Sequence, residues 1–146
     1  MDKEQQHIVN AVQHNPMVSV TSGTARGKDF VAAVFGICFM YLTPRWDLKA
    51  GEMIANTKIA MTAPTFPQIN NIMFPEVSRI FNRVGFLPGR LVACDIRTSN
   101  KEWFLTGFKS EDTKPEAWAC FHAVNTMFLV TEASGVADLI FDWRFR

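Results

Sequence analysis

The chain is poor in cysteine and almost neutral. Its three cysteines, Cys38, Cys94 and Cys120, are odd in number, far apart and set in apolar company. That spacing supplies neither a metal-ligand pattern nor a disulfide framework, and it points to buried, reduced thiols in a cytosolic protein. A formal charge of +1 gives no global pull on nucleic acid, so any such contact needs a local patch. The apolar run Phe30 to Leu42 is shorter than the roughly 20 residues that a membrane-spanning helix needs, and reads as a buried helix. No repeat, low-complexity tract or linker divides the chain. What is present is core-forming material: 146 residues, 48% hydrophobic and 20% charged, enough for one ordinary domain and too apolar for wholesale disorder.

Hydrophobic periodicity predicts alternating elements. Residues 3–14 place Ile8, Val9 and Val12 on one helical face, and Asn15-Pro16 stops that helix. Met17 to Thr21 is β-branched and reads as a first strand, followed by a loop and a long apolar helix that Thr43-Pro44 ends. Residues 45–57 form a polar connection marked only by Trp46 and Met53. Lys58 to Thr62 is a second strand. Thr65 then caps a helix carrying Ile69, Ile72, Met73, Val77, Ile80 and Phe81, with Pro75 placed to kink it. Leu91 to Ile96 and Trp103 to Phe108 predict two strands of a hairpin, Met127 to Val130 a last apolar strand, and a short helix starts near Val136. The economical reading is one α/β domain, 1–146, with a mostly parallel sheet and flanking helices.

Two segments carry chemistry. Residues 18–29 read Val-Ser-Val-Thr-Ser-Gly-Thr-Ala-Arg-Gly-Lys-Asp, a β-branched run that ends in a small-residue loop at the head of an apolar helix. Such a loop frees consecutive backbone N–H groups to converge on an anion, with the helix's positive end behind them and Lys28 in reach of outer phosphates. The residues of that cradle are Ser22, Gly23, Thr24, Ala25, Arg26, Gly27, Lys28 and Asp29. It departs from the G-x-x-x-x-G-K-[ST] pattern at Ser22 and Asp29, and a plain strand–turn–helix with a surface lysine is the alternative. The second segment is Met127 to Gly135, an apolar strand that ends in Glu132. Nucleotide hydrolases place a water-activating carboxylate at such a strand end; a solvated strand-end acid is the bland reading.

Five segments in order resemble the ATPase region of the large terminase subunit of tailed bacteriophages, the motor that drives DNA into the capsid. They are Gln5-x-x-Ile-Val, Ser-Gly-Thr-Ala-Arg-Gly-Lys at 22–28, Ala-Pro-Thr-Phe-Pro-Gln at 63–68, Cys-Phe-His at 120–122 and Glu-Ala-Ser-Gly at 132–135. The resemblance implies a P-loop NTPase of the additional-strand, RecA-like type, with the acidic strand beside the loop strand. It implies ATP and Mg²⁺ as cofactors, and double-stranded DNA, the portal and the small terminase subunit as partners. A homo-oligomer and residence in the host cytoplasm follow from the same likeness. Gln5 would read the adenine edge, Lys28 would pair the outer phosphates, and Glu132 would orient or deprotonate the attacking water. Arg26 is placed to act as an arginine finger, or is a surface loop arginine.

The chain departs from that family at the metal shell. Where the family has Ser or Thr after the loop lysine and Asp before the catalytic Glu, this chain has Asp29 and Thr131. One hydroxyl and one carboxylate have exchanged places, which preserves ligand type and total charge for Mg²⁺. Two readings stand: a rearranged site that retains ATPase chemistry, or a non-catalytic nucleotide-binding or interaction module with a degraded metal site. Asp29 also suits a helix N-terminus through the dipole alone. His122 reads as a packed, hydrogen-bonded residue, and Thr65 as an N-cap that, with Gln68, could couple nucleotide to DNA. Lys101, Lys109 and Lys114 with Trp103 and Trp118 read as solvation rather than a DNA face. No nuclease constellation follows the acidic strand, so the ATPase domain reads as incomplete at its C-terminus, leaving an exposed sheet edge.

Overall fold

The computed structural model describes residues 2–21, 27–110 and 121–136. Helix α1 (Lys3–His14) opens on a capping box, in which the Asp2 carboxylate accepts from the Gln5 amide at 2.8 Å and Gln5 Oε1 accepts from the Asp2 amide at 3.1 Å. Helix α2 (Lys28–Leu42) begins at Gly27, whose φ of 71° is open to glycine at no steric cost. The strands are β1 (Arg45–Asp47), β2 (Glu52–Ile54), β3 (Thr57–Ala63), β4 (Arg90–Val92), β5 (Asp95–Arg97), β6 (Trp103–Lys109) and β7 (Asn125–Val130). Between β3 and β4 run α3 (Phe66–Gln68), a π turn (Ile69–Met73) and α4 (Phe74–Val84).

Five strands form one mixed sheet in the order β4-β5-β6-β3-β7, and β1 pairs only with β2. β6, β3 and β7 are parallel, while β5 pairs antiparallel with β6 and β4 antiparallel with β5. All seven residues of β3 are buried, as expected of a central strand with both faces covered. On one face Ile59, Met61, Leu105, Met127 and Leu129 share a core with Ala33, Ile37 and Met40 of α2, Met73 of the π turn and Val77 of α4. Gly36 makes the close approach possible, since a Cβ there would stand 3.1 Å from Leu129 and 3.2 Å from Leu105. On the other face Phe121 sits among Phe104, Phe108 and Phe128, with ring centroids 5.5–6.2 Å apart.

The α/β class and the helix start at Thr65 agree with the sequence, but the sheet is mixed rather than mostly parallel, with two parallel and two antiparallel pairings, and the acidic strand β7 lies beside β3 rather than beside a loop strand. Several other expectations also differ. Met17 to Thr21 is not a strand: it lies outside the sheet with Met17 60% exposed, because a β-branched run becomes a strand only where a neighbour completes its ladder. Leu91 to Ile96 is not one strand but two, β4 and β5, folded over Ala93, whose φ of 50° reverses the chain. The expected turn after residue 96 does form, and pairs Ile96 with Leu105. Residues 45–57 hold a hairpin in which Trp46 faces Met53. The helix before Val77 is relieved by the π turn, which ends where Pro75 cannot donate. Cys38 is exposed rather than buried, because it lies on the face of α2 opposite Ile37 and Met40; Cys94 is buried, and Cys120 lies outside the described residues. The helix expected from about Val136 also falls outside them, beyond Val136 itself.

Candidate functional site

Because β3, β6 and β7 are parallel, their carboxyl ends share one edge of the sheet, the edge where α/β proteins bind ligands. Chain topology brings the start of α2 to it. The crossover from β3 to β6 runs through α4, and α2 packs beside α4 on the same face. The side chains agree: Thr131 Oγ1, one residue past β7, donates to Asp29 Oδ1 in the first turn of α2 at 2.9 Å, across 102 residues of sequence. Asp29 and Thr131, the two residues singled out as a possible metal shell, are thus in direct contact.

Glu132 follows at once. The Thr131 amide donates to the Thr62 carbonyl at 3.0 Å, which extends the β7 ladder by one step, and then the backbone turns left-handed at Glu132 with φ 50° and ψ 48°. Left-handed geometry at a non-glycine residue is uncommon, and such strain clusters at functional sites. It leaves the Glu132 side chain exposed at the strand end. The turn after it is pressed against the end of β3, where a Cβ on Gly135 would stand 2.7 Å from Pro64 Cγ.

Gln5 lies at the same site from the other side. A Cβ on Gly27 would stand 2.8 Å from Gln5 Nε2, so the amino end of α1 rests on the residue that starts α2. Gln5 Oε1 serves the helix cap, and its amide nitrogen faces Gly27. An open cleft of about 610 Å³ runs from there between α1 and Val18–Thr21, with Gln5 and Lys28 both in its lining. Ser22, Gly23, Thr24, Ala25 and Arg26 lie outside the described residues, as do Lys114 and Trp118. The structure therefore sets Gln5 against Gly27, puts Gln5 and Lys28 in the cleft lining, and ties Asp29 to Thr131 beside Glu132.

Asp29 and Thr131 supply hard oxygen donors within hydrogen-bond distance of each other, a set that fits Mg²⁺, which takes one or two protein oxygens besides waters and phosphate oxygens. No cluster of three or more His, Cys, Asp or Glu side chains able to hold a metal exists among the described residues. Other sequence candidates have structural partners. Gln68 Oε1 accepts from the Thr65 amide at 3.0 Å and its hydroxyl at 2.8 Å, so both act at the start of α3. His122 is exposed, and its carbonyl accepts from Lys58 Nζ at 3.0 Å. Lys58 is a lysine that periodicity does not single out: only 8% exposed, it also pairs with Glu102 at 2.7 Å. Its position at the opposite end of β3 makes it structural. The positive φ of Glu132 and the left-over cleft wall at His7 also escape sequence patterns, since both depend on the folded backbone.

Among the described residues no helix is long and apolar enough to cross a membrane. No protein-family model matches the chain, and neither a curated protein nor a solved structure matches it. The fold and site define an α/β domain with its polar side chains gathered where a helix N-terminus meets the carboxyl edge of a parallel sheet.

Proposed function

We propose that this chain is the ATP-binding and ATP-hydrolysing domain of a DNA-packaging motor of the terminase large-subunit type, with a P-loop NTPase fold. The observation that carries the reading is the Thr131–Asp29 hydrogen bond, which joins the helix after the glycine loop to the end of the acidic strand. The bond links two segments, 102 residues apart, that carry the candidate chemistry.

On this reading Gly27 and the loop before it cradle the phosphates through backbone N–H groups, and Lys28 neutralises their outer charge. Asp29 and Thr131 would hold Mg²⁺, which supplies charge neutralisation at the phosphates when bound. Glu132, freed from the sheet by its left-handed backbone, accepts a proton from the water that attacks the terminal phosphate. Gln5 braces Gly27 from α1. Double-stranded DNA, the portal, the small subunit and further copies of the chain are the partners that this function requires.

A second reading has one observation in its favour: the Asp29 carboxylate already has a donor in Thr131, so the pair is satisfied without a metal. The chain would then be a non-catalytic nucleotide-binding module. Calorimetric titration with Mg²⁺–ATP tests the common core of both. Replacing Lys28 with Ala should weaken binding by on the order of 1.5–3 kcal/mol, the scale of hydrogen bonds to charged groups. Equal affinities for the two proteins would rule out the phosphate loop.

A further inference from the structure

The hairpin at the far edge of the sheet from β7 carries two arginines that the site above does not use. Register sets Arg90 of β4 directly opposite Arg97 of β5, and Arg97 opposite Phe104 of β6. Directly opposite residues share a face of the sheet, so both arginines rise from the same one. Like charges so placed repel, and this face of the hairpin has a single carboxylate, Asp95. Asp95 is committed to Arg97 and β6. Its Oδ2 accepts from Arg97 Nε at 2.9 Å and lies 2.8 Å from a second Arg97 nitrogen, while its Oδ1 accepts from the Thr106 hydroxyl at 2.5 Å. Arg90 has no ion pair or side-chain hydrogen bond among the described residues.

Both arginines line one pocket of about 270 Å³, with Gly89, Thr98 and Ser99. Arg97 is held in place there, because its guanidinium carbon stands 4.3 Å from the centroid of the Phe104 ring while two of its nitrogens meet Asp95. A guanidinium has five N–H donors, more than those contacts use. Thr98 Oγ1 is taken up in the turn, where it donates to the Asn100 and Trp103 carbonyls; the Ser99 hydroxyl is exposed and has no partner among the described residues. Gly89 brings the lead-in to β4 close to β5. Its φ is 117°, and a Cβ there would stand 3.0 Å from the Arg97 carbonyl oxygen.

We infer that this pocket is a phosphate-binding site, in which Arg90 and Arg97 take the oxygens of one phosphate group and Ser99 donates to it. Guanidinium forks match phosphate oxygens, and an anion between the two cations removes their repulsion. The phosphate is either free or part of a nucleic-acid backbone. A formal charge of +1 gives no global pull on nucleic acid, and this pair supplies a local one. The inference does not rest on the nucleotide reading, since Arg97 lies opposite the start of β6, at the amino edge, and the candidate nucleotide site lies at the carboxyl edge.

The test uses the whole chain at constant ionic strength and three probes: inorganic phosphate, a short DNA duplex and poly-glutamate. Arg90 is exposed on an edge strand, so Arg90→Gln leaves the packing intact. The Nε–H resonances of Arg90 and Arg97, assigned by their loss in Arg90→Gln and Arg97→Lys, should move with the duplex or with phosphate and little with poly-glutamate. Movement with both phosphate probes makes a free phosphate group sufficient; movement with the duplex alone makes the nucleic-acid backbone the source. Arg90→Gln should weaken that binding about 2- to 5-fold, the scale of an exposed ion pair, and for the duplex should reduce the salt dependence by about one phosphate contact. Lys49→Gln, the same charge change on the exposed β1–β2 hairpin, should leave affinity as it was. Resonances unmoved by both phosphate probes would overturn the site. Equal weakening by Arg90→Gln and Lys49→Gln would also overturn it, as a diffuse charge effect, and movement as large with poly-glutamate would replace phosphate by an acidic protein surface.

Discussion

The two ends of the parallel strands are built to different rules. At the amino edge, polar side chains are tied to backbone or to each other. Thr57 is fully buried and meets Thr43 Oγ1 at 2.7 Å, Trp103 Nε1 donates to the Met40 carbonyl at 2.8 Å, and Asn100 Nδ2 donates to the Ala55 carbonyl at 2.9 Å. Asn56 Oδ1 accepts from the Val124 amide at 3.0 Å, and Lys58 is held by Glu102 and His122. At the carboxyl edge the arrangement is looser. Glu132 is exposed in a left-handed conformation, Gly27 is left-handed too, and the hydrogen bond from Thr131 to Asp29 links two elements with no ladder between them. Saturated polar networks rigidify a fold, whereas left-handed backbone at a non-glycine residue is uncommon and clusters at functional sites. At the carboxyl edge Thr62 and Ser110 are likewise tied to backbone, and the difference lies in Gly27 and Glu132, whose left-handed backbones stand outside the ladder.

That comparison is breakable from either side. The largest effect is expected at the carboxyl edge: Glu132→Gln should retain Mg²⁺–ATP binding and lose about 10²–10⁴-fold in turnover, the contribution of a positioned base. Single-turnover hydrolysis in an assembly that turns over ATP reads this directly, and unchanged turnover would return Glu132 to a solvated strand end. At the amino edge the effect should be on stability alone. Thr57→Val leaves the Thr43 hydroxyl oxygen and Asn125 Nδ2 short of a partner in a buried place, a loss of about 1–3 kcal/mol. Denaturant unfolding measures it, and nucleotide affinity should not change.

A smaller, pH-dependent effect belongs to Tyr41, the chain's one tyrosine, in the last turn of α2. Burial pushes its phenol up to about 12, and its hydroxyl donates to the Pro88 carbonyl at 2.8 Å. The folded state thus favours the neutral form. Its contribution is fully present below the ordinary value near 10 and is lost as pH rises from there through 12. Absorbance near 295 nm should show ionisation delayed until about 12, and Tyr41→Phe should flatten the alkaline fall in stability over that window.

Much of this was legible before folding, for local reasons. α1 announces itself by Ile8, Val9 and Val12 on one face and Asn15-Pro16 at its end; α3 by Thr65; β3 and β7 by short apolar runs, while the capping partners Asp2, Gln5 and Gln68 emerge only in the structure. What escaped depends on neighbours. Met17 to Thr21 has strand chemistry without a paired strand, and Ala93 gives no sign in its side chain that it will adopt φ 50°. Cys38 looked buried because a helix apolar all round does not say which side faces the sheet. At the site, residue types suggested a partnership between Asp29 and Thr131, but only the folded packing of α2 against the end of β7 brings them to 2.9 Å.

That contact is the centre of the account, and a double-mutant cycle measures it. Magnesium-dependent ATP affinity is determined for the wild type, Asp29→Thr, Thr131→Asp and the double exchange. If the pair serves one ion, each single change disturbs the site, by removing its carboxylate or by giving it two, and the double restores the family's arrangement. The account predicts a coupling of about 1–3 kcal/mol, with the double exchange binding at least as tightly as the wild type. Effects that add to within about 0.5 kcal/mol would contradict it, and would make Asp29 a helix-terminal charge that Thr131 merely caps.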